Sequence, residues 1–151
     1  NNVALSPKGG KSYVDFDPAR LRDRDGDGWP EYYPKGVDDA PFVYFHNKTY
    51  LGAFYPQASP APVAGAVPIG TARPYATDLS SPPPKFEQPT KYQLLASGLD
   101  NDFGVDTVAN PPNQPKAVPS TANPAGINLT KQDQDNLANF GEGKTIEGMR
   151  P

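Results

Sequence analysis

The sequence predicts an α+β fold: a small antiparallel sheet with long proline-rich loops and little helix. Three observations carry this. Twenty of the 151 residues are proline, and each removes a backbone donor and breaks a helix interior. Pro41-Phe42-Val43-Tyr44-Phe45 and Lys91-Tyr92-Gln93-Leu94-Leu95-Ala96-Ser97 are short, proline-poor runs of aromatic and aliphatic residues bounded by polar turns, the pattern of strands. Only residues 131–138, KQDQDNLA, offer a helix of more than one turn, with Asn128 or Thr130 as cap.

Composition bounds the fold further. Leu, Ile, Val and Phe make 28 residues, under a fifth of the chain, but the net charge is only −3, so a folded domain is expected rather than disorder. Eight Tyr, seven Phe and one Trp supply a small aromatic core. A core of this size benefits from metal cross-links. There is no cysteine, which excludes disulfides, thiol nucleophiles and thiolate zinc sites. An acidic chain with pI near 5.0 has no nucleic-acid footprint. No apolar run approaches the roughly 20 residues of a membrane span. One domain over residues 1–151 is expected.

In chain order, residues 1–11 read as a polar lead-in, and Tyr13-Val14-Asp15-Phe16 as a short half-buried strand. Asp17 followed by Pro18 suits the N-cap and first position of a single helical turn. The acidic loop comes next. Residues 21–39 hold Asp23, Asp25, Asp27, Glu31, Asp38 and Asp39 against Arg22, Arg24 and Lys35. Asp23-x-Asp25-x-Asp27-Gly28 places carboxylates at alternate positions of a tight loop, the way oxygen ligands converge on calcium. The Trp29 carbonyl and Glu31 then fall at loop positions 7 and 9. Position 12 is Pro34, not the bidentate Glu of an EF-hand, so the last ligand is expected elsewhere, with Asp38 and Asp39 nearest. A solvated acidic turn is the alternative; mutual repulsion of carboxylates without a cation favours calcium.

Residues 56–90 carry nine prolines and residues 111–124 five. Both are expected to be surface excursions, without a helix or a central strand in the first. Phe54, Tyr55, Ile69 and Tyr75 are its expected anchors. A second acidic group, Asp100, Asp102, Asp106, Asp133 and Asp135, lies in two segments flanking the second loop and can meet around another ion if that loop folds back. Asn47-Lys48-Thr49 matches a glycosylation sequon. Gly9-Gly10-Lys11-Ser12 lacks the spacing and preceding strand of a phosphate-binding loop. The one histidine, His46, reads as structural, and nothing else composes a nucleophilic triad, so the chain is expected not to be an enzyme.

Three stretches together resemble the C-terminal globular part of type IV pilin-like proteins, nearest the major pseudopilin of type II secretion in its planctomycete-type form. They are YVDFDPARLRDRDGDGWPEYYPKGVDDAPFVYF (13–45), KYQLLASGLDNDFG (91–104) and LTKQDQDNLANFGEG (129–143), about 60 of the 151 residues. The resemblance implies a structural calcium ion clasped by the last turn and the Asp-rich ending, here Asp100, Asp102, Asp133 and Asp135, helped by the carbonyl of Leu99 or its neighbours. It also implies an apolar N-terminal helix of about 25 residues, long enough to anchor in a membrane. Residues 1–30 hold no such run, so that helix is expected on a removed segment or on a separate pilin-helix chain, which would be the only route to a membrane.

The expected function is therefore a calcium-stabilised structural subunit, the outer globular domain of an extracellular pilus- or pseudopilus-like filament that self-associates at the cell surface. A calcium-dependent adhesion or carbohydrate-binding module, with Trp29, Tyr32 and Tyr33 as an aromatic platform, is the alternative. A hydrolase using Asp38 and Asp39 stands third.

Overall fold

The computed structural model describes residues 17–23, 28–36, 40–56, 70–80, 82–104 and 115–149. The expected strand at 13–16 lies outside them, as do Asp25, Asp27, Asp38, Asp39, Ile69 and Asp106.

The strands in chain order are β1 (Leu21–Arg22), β2 (Glu31–Tyr32), β3 (Val43–His46), β4 (Tyr55–Pro56), β5 (Thr71–Ala72), β6 (Tyr75–Asp78), β7 (Lys85–Phe86), β8 (Tyr92–Ala96), β9 (Lys116–Ala117) and β10 (Leu137–Ala138). They form two three-stranded sheets, β10-β8-β3 and β7-β6-β9, and two two-stranded ribbons, β1-β2 and β4-β5. Every pairing is antiparallel except β6 with β9. All helical segments among the described residues are single 3-10 turns. The small, sheet-rich, helix-poor domain that the sequence predicts is therefore present.

The two sequence-predicted strands pair directly: β3 and β8 align Val43 with Leu95 and Phe45 with Gln93. Side chains alternate across a pleated strand, so Val43, Phe45, Gln93 and Leu95 share the buried face. Tyr44, His46, Tyr92 and Leu94 take the other. The buried face meets Tyr50, Ala72, Tyr75, Phe103, Val118 and Ile146 in one core cluster.

Gln93 joins the two larger sheets. Its side-chain amide imitates a strand partner for Tyr75: Oε1 accepts from Tyr75 N at 2.7 Å and Nε2 donates to Tyr75 O at 2.8 Å. Nε2 also reaches the Glu87 carbonyl at 3.0 Å. A fully buried amide so placed has both its oxygen and its nitrogen partnered, which is the condition for burying it at low cost.

The turn at Pro18–Arg20 follows the sequence expectation, with Asp17 Oδ1 accepting from Ala19 N at 3.0 Å. Three expectations are corrected. Residues 131–138 do not form a helix: a 3-10 turn, Gln132–Asp135, gives way to β10. Asn136 is extended (φ −57°, ψ 141°), and Asp133 and Asn136 turn their side chains into buried hydrogen bonds, the competition that makes these residues poor in helix interiors. The 56–90 stretch does contain a central strand, β6, because residues 75–81 are free of proline. Of its expected anchors, Tyr75 is 1 % exposed whereas Phe54 is 53 % exposed. The second proline-rich loop likewise contains β9, which lies parallel beside β6.

Candidate functional site

The opening acidic loop rises from the β1-β2 ribbon, which registers Leu21 with Tyr32 and Arg22 with Glu31. Arg20 braces this ribbon: its Nε donates to the Tyr33 carbonyl at 2.7 Å and its guanidinium lies 4.4 Å from the Tyr32 ring centre. The two described ends of the loop lie together. Asp23 Oδ2 accepts from Gly28 N at 3.0 Å, and Gly28 has φ +89°, a region glycine enters without strain. Asp23 is exposed, Glu31 half-buried and Trp29 78 % exposed. Tyr33 belongs to the core and Tyr32 stacks on Phe42. Trp29 is thus the only strongly exposed ring of the three expected to form a platform.

The other acidic group lies where the turn after β8 meets the turn before β10. The two acidic segments do meet, since Gly98 packs directly against Asp135. Asp135 Oδ2 accepts from Leu99 N at 2.8 Å and from Asp100 N at 3.3 Å. Asp100 Oδ1 in turn accepts from Asp102 N, and Asp102 Oδ1 from Gly104 N, at 2.9 and 2.8 Å. Burial, and then the charges of Asp135 and Asp102, push the Asp100 carboxyl above its ordinary value despite the Asp102 N–H that favours its charged form. Asp135 Oδ1 is buried without a hydrogen-bond partner among the described residues. Buried polar atoms normally find a partner, so this oxygen fits a cation that the turn would hold. No three His, Asp or Glu among the described residues form a ready coordination group. Calcium accepts carbonyl and water oxygens besides carboxylates, so a site here would draw on Asp135, Asp100 and Asp102 together with carbonyls of the turn.

Asp133 has a different partner. It is entirely buried, and its Oδ1 meets the Lys116 ammonium at 2.5 Å. Lys116 is itself only 2 % exposed. Its Nζ also donates to the carbonyls of Phe103 at 2.7 Å, Thr71 at 3.3 Å and Gly104 at 3.5 Å. Asp133 Oδ2 accepts from Thr130 N at 2.7 Å and from Thr130 Oγ1 at 2.8 Å. The Tyr75 hydroxyl stands 3.3 Å from Asp133 Oδ1 and 3.2 Å from the Asn136 amide. With its carbonyl turned to Tyr75, the Asn136 amide donates to the carbonyls of Ser97 at 3.0 Å and Asp102 at 3.2 Å. Burial, and then the Asp133 charge, hold the Tyr75 hydroxyl well above its usual range. The oxygen-lined pocket beside Asp133 therefore contains a tethered cation, the Lys116 ammonium. A buried ion pair needs its remaining lone pairs and protons satisfied, and here neighbouring donors and acceptors meet that need.

Of the residues expected to bind metal, the fold thus brings Asp100, Asp102 and Asp135 together around one turn and sends Asp133 to Lys116. It leaves Asp23, Trp29 and Glu31 on a separate ribbon, while Asp25 and Asp27 lie outside the described residues. Sequence reasoning missed Lys116 and Gln93 as polar members of the core and took Tyr75 only as an anchor of the proline-rich excursion. One signal for Lys116 was available: it is the only charged residue between Asp106 and Lys131, set in a proline- and alanine-rich run.

The outer face of the β10-β8-β3 sheet is apolar and open. Tyr44 and Tyr92 stack at 5.4 Å between ring centres, and they are 57 % and 43 % exposed, with Leu137 at 42 %. Leu94, half-buried, is in register opposite Tyr44.

The chain matches no family model, no curated protein and no solved structure with which it was compared.

Proposed function

We propose that this chain is the outer globular domain of an extracellular, pilus- or pseudopilus-like filament subunit and has a structural rather than enzymatic role. The observation that carries the reading is the open face of the β10-β8-β3 sheet. Tyr44, Tyr92, Leu94 and Leu137 make a contiguous apolar surface backed by a rigid sheet, and such surfaces mark interaction sites. Its occupant in this reading is the apolar helix that the pilin resemblance implies, supplied by an adjoining segment or a separate chain. No helix among the described residues is long and apolar enough to cross a membrane.

Calcium belongs to the same reading. Asp135, Asp100 and Asp102 would hold it, and the ion would neutralise carboxylates that now repel one another. Its role is to rigidify the turn between β8 and the β10 segment. The opening loop, with Asp23, Asp25, Asp27, Glu31 and the Trp29 carbonyl, is a second candidate for the same ion.

Electron cryo-microscopy of filaments recovered from the producing cell surface tests the assignment. The expected result is a regular array of this domain around a helical core, with the Tyr44–Tyr92 face turned inward. A domain that stays monomeric when the apolar helix is supplied would overturn it. Exposed Trp29 supports a second reading, a carbohydrate-binding module; loss of glycan-array binding in Trp29→Ala, with the fold intact, would favour that one.

A further inference from the structure

We propose that Lys116 and Asp133 become joined by an intramolecular isopeptide bond, which makes this corner a self-generated covalent cross-link. The inference stands on the geometry of the pair and is independent of the filament assignment.

The pair has the reactants of an amide, an amine and a carboxyl group, held 2.5 Å apart from nitrogen to oxygen with side chains 3 % and 0 % exposed. Holding two groups in contact replaces a bimolecular encounter by a unimolecular one. The surroundings supply the rest of the chemistry. Thr130 N and Oγ1, at 2.7 and 2.8 Å from Asp133 Oδ2, are two donors aimed at the oxygen that must carry negative charge when the carboxyl carbon becomes tetrahedral. The Tyr75 hydroxyl faces the other oxygen, Oδ1, where protons must arrive. The Phe103 carbonyl, 2.7 Å from Nζ, accepts the hydrogen that the nitrogen keeps.

The steps balance without a co-reactant. One proton passes along the direct contact from the Lys116 ammonium to Asp133 Oδ1, giving an amine beside a carboxylic acid. The Nζ lone pair then forms a bond to Cγ, and the carbonyl electron pair moves onto Oδ2, held by Thr130. A second proton leaves Nζ and reaches Oδ1, with the Tyr75 hydroxyl able to accept one proton and release another. The Cγ–Oδ1 bond breaks, Oδ1 departs as water, and the carbonyl re-forms on Oδ2. Of the three ammonium hydrogens, two leave in the water and one remains on the amide nitrogen. With both side chains buried, bulk solvent has little access to drive the reverse reaction.

The bond would tie β9 to the segment before β10, positions 17 residues apart. In a chain without cysteine it would do what a disulfide does elsewhere, restricting the unfolded chain by closing a loop.

The test is the intact mass of the purified full chain under denaturing conditions, followed by peptide mapping. The expected mass is lower than that of the sequence by one water. Trypsin should fail to cut after Lys116, and a branched peptide should join the Lys116 and Asp133 segments. Lys116→Arg keeps a buried cation but removes the nucleophilic amine, so it should restore the full mass. Thr130→Val should lower the linked fraction at a given time after refolding. A wild-type mass equal to that of the sequence, with Lys116 and Asp133 in separate peptides, overturns the proposal and leaves an ion pair. So does a water deficit that maps to a succinimide at Asp25-Gly26 or Asp27-Gly28. If Lys116→Arg fails to fold, the wild-type peptide map alone decides.

Discussion

Asp23 and Asp133 do the same local job in two regions of the molecule, and the setting gives them opposite weight. Each closes a turn by accepting a backbone N–H, from Gly28 at 3.0 Å and from Thr130 at 2.7 Å. Asp23 is exposed at the end of a two-stranded ribbon, whereas Asp133 is wholly buried against Lys116. Exposed charges interact through water and contribute little. Buried ones must be matched by fixed partners, and then removing either partner strands the other in a low-dielectric interior. The opening loop is the more conspicuous motif in the sequence; the closing corner bears more of the structure.

The largest expected effect follows from that contrast. Asp133→Ala should cost about 3–5 kcal/mol, because it leaves the Lys116 ammonium buried without its counter-charge. Asp23→Ala should cost under about 1 kcal/mol, as surface changes do. Denaturant unfolding of the two variants measures both, and equal losses would break the comparison.

Gln93→Leu comes next. It fits the space but strands the Tyr75 N–H and carbonyl, so a loss on the order of 3 kcal/mol is expected from buried groups left unpaired. Gly104→Ala should cost at least ~2 kcal/mol. Its φ of +79° penalises a side chain, and the added Cβ would collide with Asp133 Oδ2 and Thr130 Oγ1. Gly28→Ala meets open space at φ +89° and should pay only the conformational part, about 1 kcal/mol. The difference between the two glycine variants separates crowding from backbone strain.

Calcium sharpens the comparison from another side. Adding the ion should raise the melting temperature and a chelator should lower it. Asp135→Asn should blunt that response more than Asp23→Asn if the closing turn is the stronger site. A thermal scan that does not move with either calcium or chelator would remove the metal from both regions.

The smallest expected effects are those of two acids outside the comparison, with opposite pH signs. Burial raises the Glu87 carboxyl above its ordinary value. The folded state then holds this proton more tightly than the unfolded chain, so stability rises as pH falls through the raised value. Asp78 is held down at about 2 by the Ser80 hydroxyl and N–H and then by Lys85. Its contribution is present above the ordinary Asp value and is lost as pH falls from there through about 2. Glu87→Gln and Asp78→Asn, followed by denaturant melts across pH, should each flatten its own limb of the profile.

Much of the local structure was legible in the residues. Pro41–Phe45 and Lys91–Ser97 carry enough aromatic and aliphatic side chains to be strands in almost any packing, and they pair with one another. Asp17-Pro18 caps its turn for reasons contained within three residues. Gly28 takes a positive φ for the same kind of reason. Short-range sterics and hydrogen bonds decide such elements, and both are visible in a sequence.

The closing corner was legible only as a group of carboxylates. Which carboxylate meets a cation depends on the parallel placement of β9 beside β6, a contact between distant segments that no local pattern encodes. The two-residue strand β9 has no periodicity of its own. Residues 131–138 carry a credible helix signal, yet Asp133 and Asn136 turn inward because Lys116 and Tyr75 are waiting there. By itself the sequence determined an acidic, cysteine-free, helix-poor domain with two strong strands. The tertiary structure decided that a lysine from a proline-rich loop enters the core, because only a fold that encloses its ammonium with carbonyls and a carboxylate makes that burial tolerable.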